Sequence, residues 1–522
     1  MWDVFSWMVC SGEETKSGRT GFAALLSDDE STAALALFNV LNANYSPVQQ
    51  QQHERTQRTF SLDHLDRIMS SETNCLLPFP LPPPLSTIFT LLAWKSMLLS
   101  TQTIQTNNTT NVTISACLSA HNWLSLAAIL TNATWSDRAY LFADIRVCNS
   151  VDVALAFLKA ANLATVSARK NRAFAKFLVS QYNLTKTLAT AGYSHDGGGD
   201  NDYDDPVSLG SLDFLDAWAP QCPLFSALWD YTFRTFFFNI NGNLGGDNDE
   251  SFSTSALNIP LLSFLSSTLE NQRTEFKSLL MAQDLFLLSS FIKASHQQHS
   301  VEETHQSYVS HQHWPLLYCS NIHGKSWGSF TSRIEAAGSF ILAVKESSKR
   351  GGVFGAYCPV AIECSPKFLA NDDAFLFETG SSGEDSEIDA ADAGRESVVG
   401  VYLDQSINRN HVYFNYGMST MPNGIGFGGQ MSYFGLFLDT SLSFGTCSAS
   451  PRSSTFNSPR FSVKNNERFE IDTVQAFLVH PKIVDSRLVP ERRKGGTSVL
   501  NGHVLESALL EMVGRERYSN NV

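Results

Sequence analysis

The chain is 522 residues long, more than one hydrophobic core of ~250–300 residues organises, so several domains are expected. Its 51 acidic residues against 37 basic ones give a formal net charge of −14, which argues against a general polyanion binder and makes nucleic acid a poor partner. Nine cysteines, odd in number and scattered from Cys10 to Cys447 without a C-x-x-C pair, suggest neither a disulfide framework nor a zinc site and fit a reducing compartment.

At the N-terminus Trp2 stands where myristoylation needs glycine, and the apolar start lacks a basic flank, so no lipid anchor or signal peptide is expected there. Sequons such as Asn107, Asn108, Asn111 and Asn132 carry little weight without a secretory signal. The segment LSDDESTAALALFNVLNA sets Ser27 three residues before Glu30, a capping box, followed by Leu35, Phe38 and Leu41, or Leu37 and Leu41, at helical spacing. Similar patterns recur in Ser61 to Met69, Leu85 to Leu99, Trp123 to Leu130, Ser136 to Phe142, Val151 to Ala161 and Ala168 to Tyr182. Residues 1–190 therefore read as all-helical. Leu85 to Trp94 is too short to span a membrane and is followed by Lys95, while Pro223 to Ile240 carries Asp230 and Arg234. A soluble protein, peripheral at most, is expected.

The run GYSHDGGGDNDYDDP offers nothing to bury and reads as a linker, as does GNLGGDNDE. Residues 191–311 form a connector in which Leu209 to Phe238 and Ile259 to Ile292 read as apolar helices. From Trp314 short β-branched and aromatic runs take over: WPLLYC, GSFILAVK, GVFGAY, AFLFE, VVGVYL, HVYFNYG, YFGLFLD and FEIDTVQAFLV. They predict an antiparallel two-sheet β domain over 312–481, with the acidic insert SSGEDSEIDAADAGRE as a solvated loop. Residues 482–522 end in HVLESALLEMVGRERY, an amphipathic helix whose Leu505, Leu509 and Met512 are candidate partner-binding residues. The fold class is α+β.

Four motifs invite a chemical reading. In PNGIGFGGQMSYFGLFLD the glycines at 424, 426 and 429 meet the G-x-G-x-x-G spacing of dinucleotide sites, but that fingerprint needs a helix after it, and Met431 to Asp439 reads as a strand. A turn joining two strands is expected, and no nucleotide cofactor. Gly324-Lys325-Ser326-Trp327-Gly328 matches a nucleophile elbow, with Asp404 and His411 following in acid-then-base order. The competing reading makes Ser326 the N-cap of a helix with Trp327 packed inward. Asp200, Asp202 and Asp204 begin a calcium loop that has Asp205 where glycine is needed and Ser211 where a bidentate glutamate belongs. His195 and the group His296, His299, His305, His311 and His313 lie in polar surroundings without a dry second shell, so no metal site is expected.

The runs LLYCSNIHGKSWGSF, VFGAY, FLF, YFNYG, GIGFGGQMSYFGLFLD and TFNSP, in that order, resemble the TLDc domain over about Gln312 to Pro481. Ser326, Trp327, Gly355, Gly426, Gly428, Gly429, Phe434 and Gly435 are the positions that carry the motif. The capped first helix, LDFLDAW and the tail resemble the mTOR-associated, lysosomal subgroup of TLDc proteins. That resemblance implies a β-sandwich flanked by helices, degenerate EF-hands in the N-terminal half, no catalytic chemistry and no cofactor. It also implies partners among the peripheral subunits of the vacuolar proton-pumping ATPase, links to mTOR signalling and oxidative-stress resistance, and a cytoplasmic location peripheral to the lysosomal membrane. Two departures stand out: Trp2 replaces the subgroup's second-position glycine, and Gln475-Ala476-Phe477 stands where the family has Glu, Val and Trp. The alternatives are a serine hydrolase built on Ser326, a redox-protective activity, or a signalling scaffold without ATPase contact.

Overall fold

The computed structural model describes residues 21–43, 59–61, 65, 67–69, 81–83, 85–102, 117–142, 150–190, 219, 222–238, 257, 259–264, 276–292, 313–347, 352–381, 398–447, 452–462 and 467–481. Residues 1–480 form one compact unit and residues 481–522 a second. The calcium-like loop at 200–211, His195, His296 to His311, the acidic insert and the tail residues Leu505, Leu509 and Met512 lie outside the described residues.

The first helix, α1 (Asp28–Ala43), opens with the capping box that the sequence predicts. The Glu30 amide donates to Ser27 Oγ at 3.2 Å and the Ser27 amide to Glu30 Oε2 at 2.9 Å, satisfying two of the N–H groups a helix start leaves open. Then follow β1 (Thr59–Ser61), α2 (Leu85–Gln102), β2 (Cys117–Ser119), α3 (Ala120–Thr131), α4 (Trp135–Phe142), α5 (Ser150–Ala160), α6 (Ala168–Thr190) and α7 (Pro223–Phe238). β1 and β2 pair antiparallel through Phe60 and Leu118. Among the described residues no group of three His, Cys, Asp or Glu could hold a metal ion.

Buried Trp123 centres this half, its ring 5.4–6.5 Å from those of Phe38, Phe89, Phe236 and Phe237 and its Nε1 donating to the Ala34 carbonyl at 2.8 Å. The end of α3 is closed by side chains. Arg138 donates to the Ile129 and Thr131 carbonyls and Trp229 Nε1 to Leu130. The charges on the apolar helix α7 are paired: Asp230 with Arg138 at 3.3 Å and Arg234 with Glu30 at 3.0 Å. Asn132, whose sequon was noted above, bonds Leu25, Glu30 and Arg234 through its amide. No described helix is long and apolar enough to cross a membrane.

The stretch from Ile259 to Ile292 departs from its helical reading. It holds β3 (Leu261–Phe264) and then α8 (Ala282–Phe291), because a short apolar run has no periodicity that separates strand from helix. β3 runs parallel to β4 (His313–Cys319). α9 (Trp327–Ile334) precedes β5 (Gly338–Glu346), β6 (Gly352–Cys358), β7 (Ser365–Leu369), β8 (Phe375–Ser381), β9 (Val399–Leu403), β10 (Val412–Asn415), β11 (Gly424–Gln430), β12 (Tyr433–Asp439), β13 (Phe444–Thr446) and β14 (Arg468–Pro481). One hydrogen-bonded path runs β7-β10-β11-β12-β13-β14-β5-β6-β8-β9, with β4 branching from β14. The two predicted sheets thus share the long strand β14, which meets β13 antiparallel at Phe444–Glu470 and β4 at Gln475–Cys319.

Between the halves of this curled sheet lie Leu342, Phe354 and Leu376 from one side and Phe414, Ile425 and Leu436 from the other. The opposite face of β5–β8 is apolar too, and Ile341, Ala343, Phe375, Phe377 and Phe477 pack with Leu285 and Leu288 of α8. With both faces covered, β5 reads as a continuous apolar run rather than an alternating one.

Candidate functional site at the glycine strand

The run GIGFGGQ, predicted as a turn, is the interior strand β11, paired with β10 on one side and β12 on the other. Glycine is scarce in strands because it forfeits side-chain packing. Here the space belongs to aromatic rings. A Cβ on Gly424 would come within 2.6 Å of the Phe437 ring, one on Gly426 within 2.6 Å of Phe434, and one on Gly428 within 2.6 Å of Phe456. Phe434 and Phe437 stack on each other at 4.8 Å and lie against this strand of glycines. Gly428 and Gly429 also take φ of +66° and +82°, a region other residues rarely enter. Gly355 in β6 is equally confined, since a Cβ there would strike the Leu342 carbonyl oxygen.

The two amides that a phosphate cradle would use are committed elsewhere. Gly428 N–H donates to the His411 carbonyl at 3.0 Å and Gly429 N–H to Thr455 Oγ1 at 2.8 Å. Thr455 Oγ1 donates to Asn408 Oδ1 at 2.8 Å, its carbonyl accepts the Gln405 amide, and Asn410 Nδ2 donates to the Gly429 carbonyl. Thr455 and Phe456 come from TFNSP, so two motif runs far apart in sequence meet at one hub.

Asp404 and His411 join the same hub. His411 is 3% exposed; its Nδ1 accepts the Asn371 amide at 3.1 Å, and its Nε2 faces Asp404 Oδ1 at 3.1 Å, off the hydrogen-bond line. Nδ1 is taken and Nε2 faces a buried carboxylate oxygen, and no hydrogen bond joins the ring to Ser326 among the described residues. Ser326 is exposed at the N-cap of α9, its Oγ accepting the Ser329 amide. Half-buried Trp327 packs on Phe330, Phe414 and Tyr416. The acid and the base predicted for a hydrolase are brought together, but as a structural pair. Burial pushes the Cys222 thiol up to about 11 and those of Cys358 and Cys447 up to about 12, so none of the three is a thiolate at neutral pH.

Sequence reasoning missed Asn371, Asn408 and Asn410, which sit in loops without a motif. It also noted Gln475 only as a departure. That side chain is 1% exposed; its Oε1 accepts the Leu279 amide at 2.9 Å and its Nε2 donates to the Lys277 carbonyl at 2.8 Å. The amide grips an extended backbone at two points, which a carboxylate, having no donor, cannot do.

Residues 286–479, from within α8 to near the end of β14, match the protein family described as the TLDc domain. The chain carries a TLDc domain. The chicken protein named MTOR-associated protein MEAK7 is 33% identical over 211 residues, covering 40% of this chain and 39% of that one. The mouse protein of that name is 28% identical over 257 residues, 49% of this chain and 47% of that one, and the human protein 30% identical over 209 residues, 40% of each. The chain thus spans less than half the length of these curated relatives. In the TLDc domain Leu403, Ile407 and Tyr433 stand 46%, 70% and 65% exposed.

Proposed function

We propose that the chain is a non-enzymatic adaptor that docks its TLDc domain on peripheral subunits of the vacuolar proton-pumping ATPase at the cytoplasmic face of the lysosome, with a role in mTOR signalling and oxidative-stress resistance. The observation that supports the non-enzymatic reading is the burial of His411 beside Asp404 and apart from exposed Ser326, together with the commitment of the Gly428 and Gly429 amides to the His411 carbonyl and Thr455. The TLDc match supports the ATPase contact, and the relatives' name supports the mTOR link. Leu505, Leu509 and Met512 supply a second, apolar contact in this reading.

A pull-down from lysosomal membranes with the full chain tests it. Recovery of ATPase subunits is expected and should fall at least tenfold with Leu509→Asp, since a charge on a buried apolar face costs several kcal/mol, roughly the range for unpaired buried polar groups. Recovery of mTOR-pathway proteins without the ATPase would instead favour a signalling scaffold. Recovery unchanged by the substitution would remove the helix from the account.

A further inference from the structure

Helix α8 lies between the helical half and the sheet, beside the direct packing of α6 on β8 and β9, and its two sides differ. Leu285 and Leu288 enter the core on the outer sheet face, while Phe286 and Leu287 enter the helical core. On the sheet side the approach to α8 is apolar and is fastened by the Gln475 grip on residues 277–279. On the helical side a buried polar cluster is set beside Phe286 and Leu287. Lys170 Nζ of α6 meets Asp284 Oδ2 at 2.7 Å, each side chain 1% exposed. The same Oδ2 accepts the Met281 amide at 2.9 Å and so caps α8. Asp284 Oδ1, both amide atoms of Gln283 and Thr232 Oγ1 of α7, which packs on α8, are buried and find no hydrogen-bond partner among the described residues. Buried polar groups are almost always satisfied, and a set of orphans on one seam marks a joint whose closed state is incompletely compensated.

We infer that Lys170 and Asp284 form a latch that holds the helical half closed on the TLDc domain and lets it part as a unit along the faces of α6 and α7 against α8 and of α6 against β8 and β9, with α8 remaining on the sheet. A buried ion pair is poor at adding stability, because desolvation offsets its attraction, yet breaking it by removing one partner is strongly unfavourable. That combination gives a contact that is exact when shut and easily biased by anything that competes for either charge. Opening hydrates Gln283, Asp284 and Thr232 and uncovers Phe286, Leu287 and Val399 of β9, which lie in the helical core when the joint is closed.

Hydrogen exchange on the full chain, with no partner present, tests the latch independently of any ATPase contact. In Lys170→Met the amides of α6, α8 and β9 should exchange at least tenfold faster, while those of β11 and β12 keep the wild-type rate. In the double variant Lys170→Met with Asp284→Leu, which replaces the ion pair by an apolar one, protection of α6, α8 and β9 should return to the wild-type level or exceed it. Parallel acceleration in β11 and β12 would show global unfolding rather than a parting joint and would overturn the inference. So would an unchanged rate in the single variant, or a double variant as fast as the single one.

Discussion

At the scale of single residues, the TLDc domain is held by positions where one atom more, or one hydrogen less, is not accommodated. Gly428→Val sets a β-branched side chain at φ +66° and against the Phe456 ring. The backbone strain alone is about 1–3 kcal/mol, so urea unfolding should show a loss of at least ~2 kcal/mol. Added NAD or ATP should leave the wild-type melting temperature unmoved, since a ligand that does not bind the native state shifts nothing. Gln475→Glu keeps the acceptor for Leu279 and loses the donor to Lys277. It should cost about 2–3 kcal/mol at pH 7, the order expected for an unsatisfied buried group. Burial raises the folded-state pKa of such a carboxyl, so the deficit should be smallest below its unfolded value of about 4.3 and grow as pH rises; chemical denaturation across pH reads this directly.

At the scale of elements, α1 shows how a local signal acquires tertiary work. Burial pushes the Glu30 carboxyl up, but the Ser27 amide, Asn132 and Arg234 outweigh it and hold its pKa below 4.5. A depressed carboxyl contributes stability that is present above its unfolded value and is lost as pH falls through the folded one. Glu30→Gln should therefore lower stability by about 1 kcal/mol at pH 7, the usual worth of a cap, and by less at pH 3. Equal losses at both values would show that the charge is not what matters. The capping box was legible because it is written within four residues. Its use by Arg234 of α7 was not, because that contact depends on how α1 and α7 pack.

At the scale of the whole molecule, the boundary between helices and sheets is not a gap. The outer sheet face formed by Ile341, Phe375, Phe377 and Phe477 is covered by α8, which lies ahead of the predicted start at residue 312. A fragment of residues 312–481 should expose that face and elute as aggregates on size exclusion, whereas the full chain should not. A monodisperse fragment would mean that α8 is dispensable.

Composition, the capped first helix and the short β-branched and aromatic runs after Trp314 were enough to determine an α+β chain, and the order of short motifs was enough to mark the TLDc domain. These signals are local, carried by periodicity and by residues a few positions apart. Only the tertiary structure decided that the glycine run is an interior strand, since the rings that crowd Gly424, Gly426 and Gly428 come from Phe437, Phe434 and Phe456 elsewhere in the chain. It likewise decided that Asp404 and His411 meet without Ser326, and that Gln475 and α8 join segments nearly two hundred residues apart. Pairing across such separations is set by packing, which no window of the sequence contains.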